Sequence, residues 1–310
     1  MFAGLNEEAF LTYEEKKWSS NVHNLARMQV KGQLEGLAKD LSGSLGADLD
    51  SLALGASDEI PNITNQKKVD AQWLYWFRNT NERQELKSFL NDNTLSSPNF
   101  FNIAAQDKHA ILTFVLREHN LWVGLRIAGS AMVDRQNLSE KFSKTWEREV
   151  FLDLLKGAEA GLEIGFRDAA QELSDIGDGE LEAMANQLLE SKSSWLLGCS
   201  ISREEVISQG AELKSTLAKT LKQLIPFYKY CTWSKDNDFI GAQKQIQEEK
   251  AEKRRQADSY SVGDRVRISS GLFSGKQGLV ESIDTKSNVR VQVGNMSVVV
   301  PSTELIPVAK

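Results

Sequence analysis

From Val262 to Ile268 apolar residues stand at 262, 266 and 268 while Arg265 and Arg267 fall on the other side, a period of two that predicts a half-buried strand. Leu279–Ile283 predicts a second strand. Val289, Val291 and Val293, alternating with Arg290 and Gln292, predict a third, which Gly294-Asn295 turns into Val298–Val300. Leu305–Val308 closes a fifth. The apolar period changes upstream. Leu34, Leu37, Leu41 and Leu45 recur at three and four, the stripe of an amphipathic helix within a helical segment 1–59. Ser20 or Asn21 is its candidate cap, and Asn24, Arg27, Gln29, Lys31 and Lys39 fall on its other faces. Gly43, Gly46, Gly55 and Pro61 then mark a loop.

Between 69 and 127 the runs become short, aromatic and β-branched. Ala110–Leu116 and Leu121–Ile127 predict a hairpin, joined by Trp73–Phe77 into a small antiparallel sheet, with a short helix over Asn81–Leu90. From Asn137 to Ile225 the spacing is helical again. Asn137 with Glu140 has the form of a capping box, followed by Phe142, Trp146, Val150 and Leu154 as one face. Leu181, Met184, Leu188 and Leu189 predict a further helix. Ser202 with Glu205 opens another through Val206, Leu213, Leu217, Leu221 and Leu224, with Pro226 as its end. Phe227, Tyr228, Tyr230 and Trp233 read first as aromatics packing a helix end onto the core, and second as a base-stacking platform. Residues 243–258 are almost entirely polar, with Glu249 and Lys253 at helical spacing, and read as a linker.

The expectation is an α+β chain in three parts: a helix-rich domain with a small antiparallel sheet over 1–240, a charged, partly helical linker over 241–259, and an all-β module over 260–310. Length agrees, since 310 residues suffice for two domains. With 41% hydrophobic and 26% charged residues and five prolines, disorder is not the default. No signal-peptide pattern or apolar run of membrane-spanning length is present, and Cys199 and Cys231 stand apart, so a cytoplasmic protein with reduced core thiols is expected.

The net charge of −6 is unevenly shared: 260–310 carries +2 and 1–259 carries −8. That balance excludes a general nucleic-acid coat, because phosphate affinity needs net positive surface. Any RNA contact must be local, on a face such as Arg265, Arg267 and Arg290, which are otherwise the solvated side of two strands.

The stretch V-G-D-x-V-R from Val262, the G-x-F-x-G-x-x-G of 271–278 and the late P-x-x-E-L of Pro301, Glu304 and Leu305 resemble the KOW domain, in the version found at the C-terminus of NusG transcription factors. The family pattern usually has proline where this chain has Leu272, a departure that touches loop rigidity more than fold. The resemblance covers about 260–308. It implies a five-stranded SH3-like barrel that docks to a ribosomal protein, RNA polymerase or RNA in a bacterial cytoplasm, in transcription or translation, without catalysis. It points to Leu272, Phe273 and Lys276 as partner contacts, with Phe273 as an exposed aromatic anchor.

Chemistry is otherwise sparse. His23, His109 and His119 and the two cysteines lack metal-ligand spacing, and Gly271-x-x-x-Gly275-Lys276 is too short for a phosphate loop, so no metal or cofactor is expected. The enzyme alternative is an acid–base pair of His109 and Asp134 near Arg126 and Arg135. Arg126 is expected to pair with Asp134 instead, as a structural ion pair, leaving His109 buried on a backbone partner or exposed away from any cleft. Oligomeric state and the role of 1–240 are left open.

Overall fold

The computed structural model describes residues 2–310 except 94–104, 159–160, 168, 243, 245–246, 249–250, 252–254, 256–258, 285–287 and 309–310. The chain folds as two compact units, Met1–Ile240 and Gly241–Lys310. In chain order the first unit contains α1 (Glu7–Leu11), α2 (Asn24–Leu45), α3 (Ala47–Asp50), β1 (Ala53–Ala56), β2 (Gln72–Phe77), α4 (Thr80–Asn93) and α5 (Ala105–Lys108). It continues with β3 (Ala110–Leu116), β4 (Asn120–Ile127), α6 (Met132–Phe142), α7 (Thr145–Lys156), β5 (Glu163–Phe166), β6 (Gln171–Glu172), α8 (Asp178–Glu190), β7 (Trp195–Ser202), α9 (Arg203–Gln209) and α10 (Leu213–Cys231).

The seven strands form one antiparallel sheet in the order β1-β2-β3-β4-β7-β5-β6. The predicted hairpin is its centre, with Leu112 opposite Leu125 and Phe114 opposite Val123, and Trp73 of β2 opposite Val115. One face carries Leu74, Trp76, Leu112, Phe114, Val123, Leu125, Trp195 and Leu197 into the main core, where α10 packs on β3 and β4 and α2 on β2. Trp76 meets Phe114 edge-on and donates its indole N–H to Ser42 of α2 at 3.0 Å, so the helix is pinned to the sheet as well as packed on it. The opposite face carries Trp73, Tyr75, Phe77, Ile111, Thr113, Trp122, Gly124, Arg126, Leu196 and Gly198, and the alternation follows from the two-residue period of each strand.

Several expectations are corrected. The segment 1–59 is not all helix: 3-10 turns precede α2, and Ala53–Ala56 joins the sheet as β1. Arg27, expected on an outward basic face, is fully buried and donates to the carbonyls of Lys17 and Ser20, while Lys31 pairs with Glu59 at 2.6 Å. Asn137 lies inside α6 and is buried, its Oδ1 accepting from the backbone N–H of Phe239 at 2.8 Å, so it caps no helix. Trp146 and Val150 are exposed, whereas Phe142, Phe151 and Leu155 are buried. The stripe that the spacing suggests crosses a helix break at Ser143–Lys144, which shifts the inward face by a residue. β5 and β7 lie in the segment 137–225 that was read as helices interrupted by glycines, because short apolar runs such as Trp195–Ile201 carry no period that separates strand from buried helix.

Ser202 does cap α9, accepting from Glu205 N–H at 3.2 Å, but the helix it opens stops at Gly210 (φ 50°) and α10 starts afresh. Pro226 does not end α10. It sits on the exposed side of the helix, which runs on to Cys231. Phe227, Tyr228, Tyr230 and Trp233 are all buried, with Phe151 meeting Phe227 at 5.5 Å and Tyr230 at 5.2 Å, so they are core rather than a stacking platform. Cys231 is buried and Cys199 half-buried, both free thiols. The linker read over 243–258 falls largely outside the described residues.

The second unit contains β8 (Arg265–Ile268), β9 (Gln277–Ile283), β10 (Asn288–Val293), β11 (Met296–Pro301) and β12 (Leu305–Pro307), all antiparallel in the order β11-β10-β9-β8-β12. A flat sheet would hold β11 and β12 about 19 Å apart. Only the 3-10 turn Ser302–Glu304 joins them, advancing about 2 Å per residue. The sheet therefore curls until its outer strands come together, around Val266, Ile268, Val280, Val289, Val291, Val300 and Leu305. Tyr260 seals the start of this unit by donating its hydroxyl to Leu305 O at 2.7 Å.

Candidate functional site

The loop from Ser269 to Lys276 owes its shape to glycine. Gly271 and Gly275 have φ of 74° and 81°, which side chains disfavour, and Gly275 N–H donates to Ile268 O at 2.7 Å, Lys276 N–H to Phe273 O at 3.0 Å. Gly278 is needed for space instead, since a Cβ there would lie 2.4 Å from the carbonyl oxygen of Gln292. On this frame the three expected contact residues separate. Leu272 is fully exposed and Lys276 is exposed, but Phe273 is half-buried and packs against the small core. The expectation that Phe273 is the free anchor is corrected: it holds the loop, and Leu272 is the apolar side chain presented to solvent.

The three arginines lie on the outer side of the curled sheet and are exposed. Each stands opposite an exposed aliphatic residue on a neighbouring strand: Arg267 opposite Ile306, Arg265 opposite Leu279, Arg290 opposite Val299. Glu281, exposed on β9, accepts a hydrogen bond from Ser297. The outer surface is thus basic and apolar in alternation.

Residues 262–293 match the KOW motif. They span Val262 through β10, the part of the unit that holds the glycine loop and all three arginines. The KOW motif is a non-catalytic module that binds RNA or ribosomal components. Among curated proteins nothing matches the chain, and no other family is recognised in the N-terminal unit.

His109 and Asp134 do meet, but in a structural cluster that includes a residue sequence reasoning missed, Arg78 at the end of β2. Asp134 is completely buried in the first turn of α6; its carboxylate accepts from both terminal nitrogens of Arg78 (Oδ2 at 2.8 Å), from Ala110 N–H at 2.7 Å and from Trp233 N–H at 2.9 Å. Arg78 also donates to Trp233 O at 2.8 Å. Burial opposes both charges, yet each overrides the penalty on the other, so the carboxyl is held below and the guanidinium above its ordinary value. One carboxylate therefore fastens the ends of β2 and α10 to the start of β3, with no free lone pair facing solvent.

His109 is also buried, its Nδ1 3.2 Å from Arg78. A guanidinium only donates, so Nδ1 accepts and the ring proton is on Nε2. Burial first, then Arg78, pushes the imidazole down to about 4. The expected backbone partner is replaced by Arg78, and the expected Arg126–Asp134 pair is absent: Arg126 pairs with Asp107 at 2.7 Å and donates to Ser194 at 3.1 Å. Arg135 is buried too, donating to the carbonyls of Gln187, Leu188, Ser191 and Ser193 and so closing the end of α8. The acid–base arrangement drawn from the sequence is a set of structural fasteners.

Among the described residues no helix is long and apolar enough to cross a membrane.

Proposed function

We propose that this chain is a non-catalytic binding protein in which the KOW module, 260–310, tethered by a linker over 241–259, docks the N-terminal domain onto the ribosome through a ribosomal protein. The observation that carries this reading is Leu272, fully exposed at the apex of a loop held by two positive-φ glycines and by Phe273. Burying a leucine against a partner contributes about 1.5–3 kcal/mol, and a loop already ordered loses little entropy on binding. Lys276 beside it suits an acidic rim.

Purified ribosomes titrated with the full chain provide the test. Leu272→Ala is expected to weaken binding about tenfold or more, with no change in melting temperature because the side chain touches nothing in the fold. An unchanged affinity removes the loop from the interface. The outer arginines favour a second reading, direct RNA contact as in the local basic face above. Replacing Arg265, Arg267 and Arg290 together by glutamine is then expected to lower the salt slope of binding by about two to three. A slope equal to that of the parent chain assigns those arginines to the solvated surface.

The domain boundary has its own check. The small core includes Tyr260 and closes on Leu305, so 260–310 alone is expected to give dispersed amide and methyl proton signals, although so small a core is marginal. A collapsed spectrum would place essential contacts upstream of 260.

A further inference from the structure

The sheet face of the N-terminal unit opposite the main core bears a feature that the KOW reading does not use. Gly124 of β4 and Gly198 of β7 stand directly opposite each other. A Cβ built on Gly124 would lie 2.4 Å from the six-membered ring of Trp122, and one on Gly198 2.9 Å from it, so the indole rests on two bare strands. Thr113 is the neighbour of Gly124 on β3, keeping the middle row of the face low. Trp73, in the same row as Trp122, rises on the other side, with the Arg117 and Arg126 guanidiniums over its ring at 5.6 and 4.9 Å.

Between these side chains lies a cleft of 290 Å³ lined by Trp73, Arg117, Trp122, Arg126, Arg167 and Leu196. Among the described residues no carboxylate lines it. Arg126 is committed to Asp107, Ser194 and the Gln106 carbonyl and serves to fix Trp73. Arg117 and Arg167 are different. Neither guanidinium has a hydrogen-bond or ion-pair partner among the described residues: Arg167 is exposed to water, whereas Arg117 is half-buried, disfavoured as a cation by burial and by Arg167 nearby and favoured by Asp70. An anion held between the two guanidiniums would relieve that repulsion by accepting from both. The larger adjoining cleft shares Trp73, Arg126 and Arg167 with this one and carries Asp58, Asp70 and Asp107, so an anion is favoured on the Arg117 side of Arg167.

We infer that this cleft binds one phosphorylated nucleoside, its base stacked on Trp122 and its phosphate held by Arg117 and Arg167. Every base has a π-face, so stacking on an indole recognises the class, and a guanidinium fork reads the phosphate. The volume lies just below the usual range for small-molecule sites, roughly 300–1,000 Å³, which limits the ligand to a single nucleotide rather than a folded partner. The unit is supplied either as a free mononucleotide or as one residue of single-stranded RNA.

Isothermal titration calorimetry on the full chain separates these outcomes, with Arg265, Arg267 and Arg290 replaced by glutamine so that the KOW module stays silent. Adenosine monophosphate is expected to bind saturably, and adenosine or inorganic phosphate at least tenfold more weakly, since each uses about half of the site. Trp122→Leu and Arg117→Gln are each expected to weaken the mononucleotide about tenfold in chains that remain folded. A short oligoadenylate that binds no tighter than the monophosphate assigns the free nucleotide; one that binds much tighter assigns RNA. Absence of saturable binding by both probes at millimolar concentration overturns the proposal, as does parental affinity in folded Arg117→Gln and Trp122→Leu chains. Neither result bears on docking through Leu272.

Discussion

Replacing Asp134 by alanine is expected to lower the stability of the N-terminal unit by about 3–5 kcal/mol, the penalty for leaving a buried charge without its partner. Domains of this kind have about 5–15 kcal/mol in total, so the variant should sit near its unfolding threshold at physiological temperature. The effect is large because the loss is multiple: Arg78 would keep its charge at 2% exposure, and the N–H groups of Ala110 and Trp233 would lose their acceptor in the interior. Denaturant unfolding of Asp134→Ala, Arg78→Met and the double variant measures this. The double variant is expected to lose less than the sum of the singles, because removing both charges removes the uncompensated one. Its backbone donors still lack a partner, so it should not recover fully. Strict additivity, or a single-variant loss under about 1 kcal/mol, would show that the cluster does not hold β2, β3 and the end of α10 together.

Acidification is expected to destabilise the same unit through His109. Its folded-state value of about 4 is depressed from the ordinary 6.5, so between these two pH values the unfolded chain binds a proton that the folded chain does not. Stability contributed by the neutral ring is fully present above pH 6.5 and is lost as pH falls towards 4. At about 1.36 kcal/mol per unit the total is on the order of 3 kcal/mol. The depressed carboxyl of Asp134 acts in the same sense but lower, being lost only as pH falls through its own folded value. His109→Gln keeps an acceptor for Arg78 and cannot titrate. The difference in unfolding free energy between parent and variant should therefore vary with pH over that window with a slope of up to one proton. A difference independent of pH from 7 to 4 would mean that the ring is protonated in the folded state or accessible to water.

Where a residue pattern reports purely local physics, it was legible. The C-terminal strands were readable because a curled sheet with one wet face forces strict alternation, and Val266, Ile268, Val289 and Val291 do point inward while Arg265, Arg267 and Arg290 point outward. The central hairpin was readable because β-branched and aromatic runs flank a four-residue turn. β5 and β7 were not, since four residues containing a glycine, or eight nearly all apolar ones, carry no period that excludes a buried helix. Pro226 misled for a related reason: whether proline ends a helix depends on which side it faces, and that is a fact about packing.

The candidate sites divide in the same way. Glycine spacing determined the KOW loop, because positive φ at Gly271 and Gly275 and the close approach at Gly278 are conditions that only glycine meets. Which of its side chains faces out was decided by the small core, which takes Phe273 and leaves Leu272. In the N-terminal unit the sequence by itself determined the central hairpin and its pairing with Trp73–Phe77. Only the tertiary structure decided that Asp134 meets Arg78 across 56 residues, that Trp122 lies over Gly124 and Gly198, and that Trp73 and Arg167 line one cleft with it. The reason is physical: strand period and turn chemistry act between near neighbours in the chain, whereas ion pairs and clefts depend on strand order and register, which are set by the folding of the whole sheet.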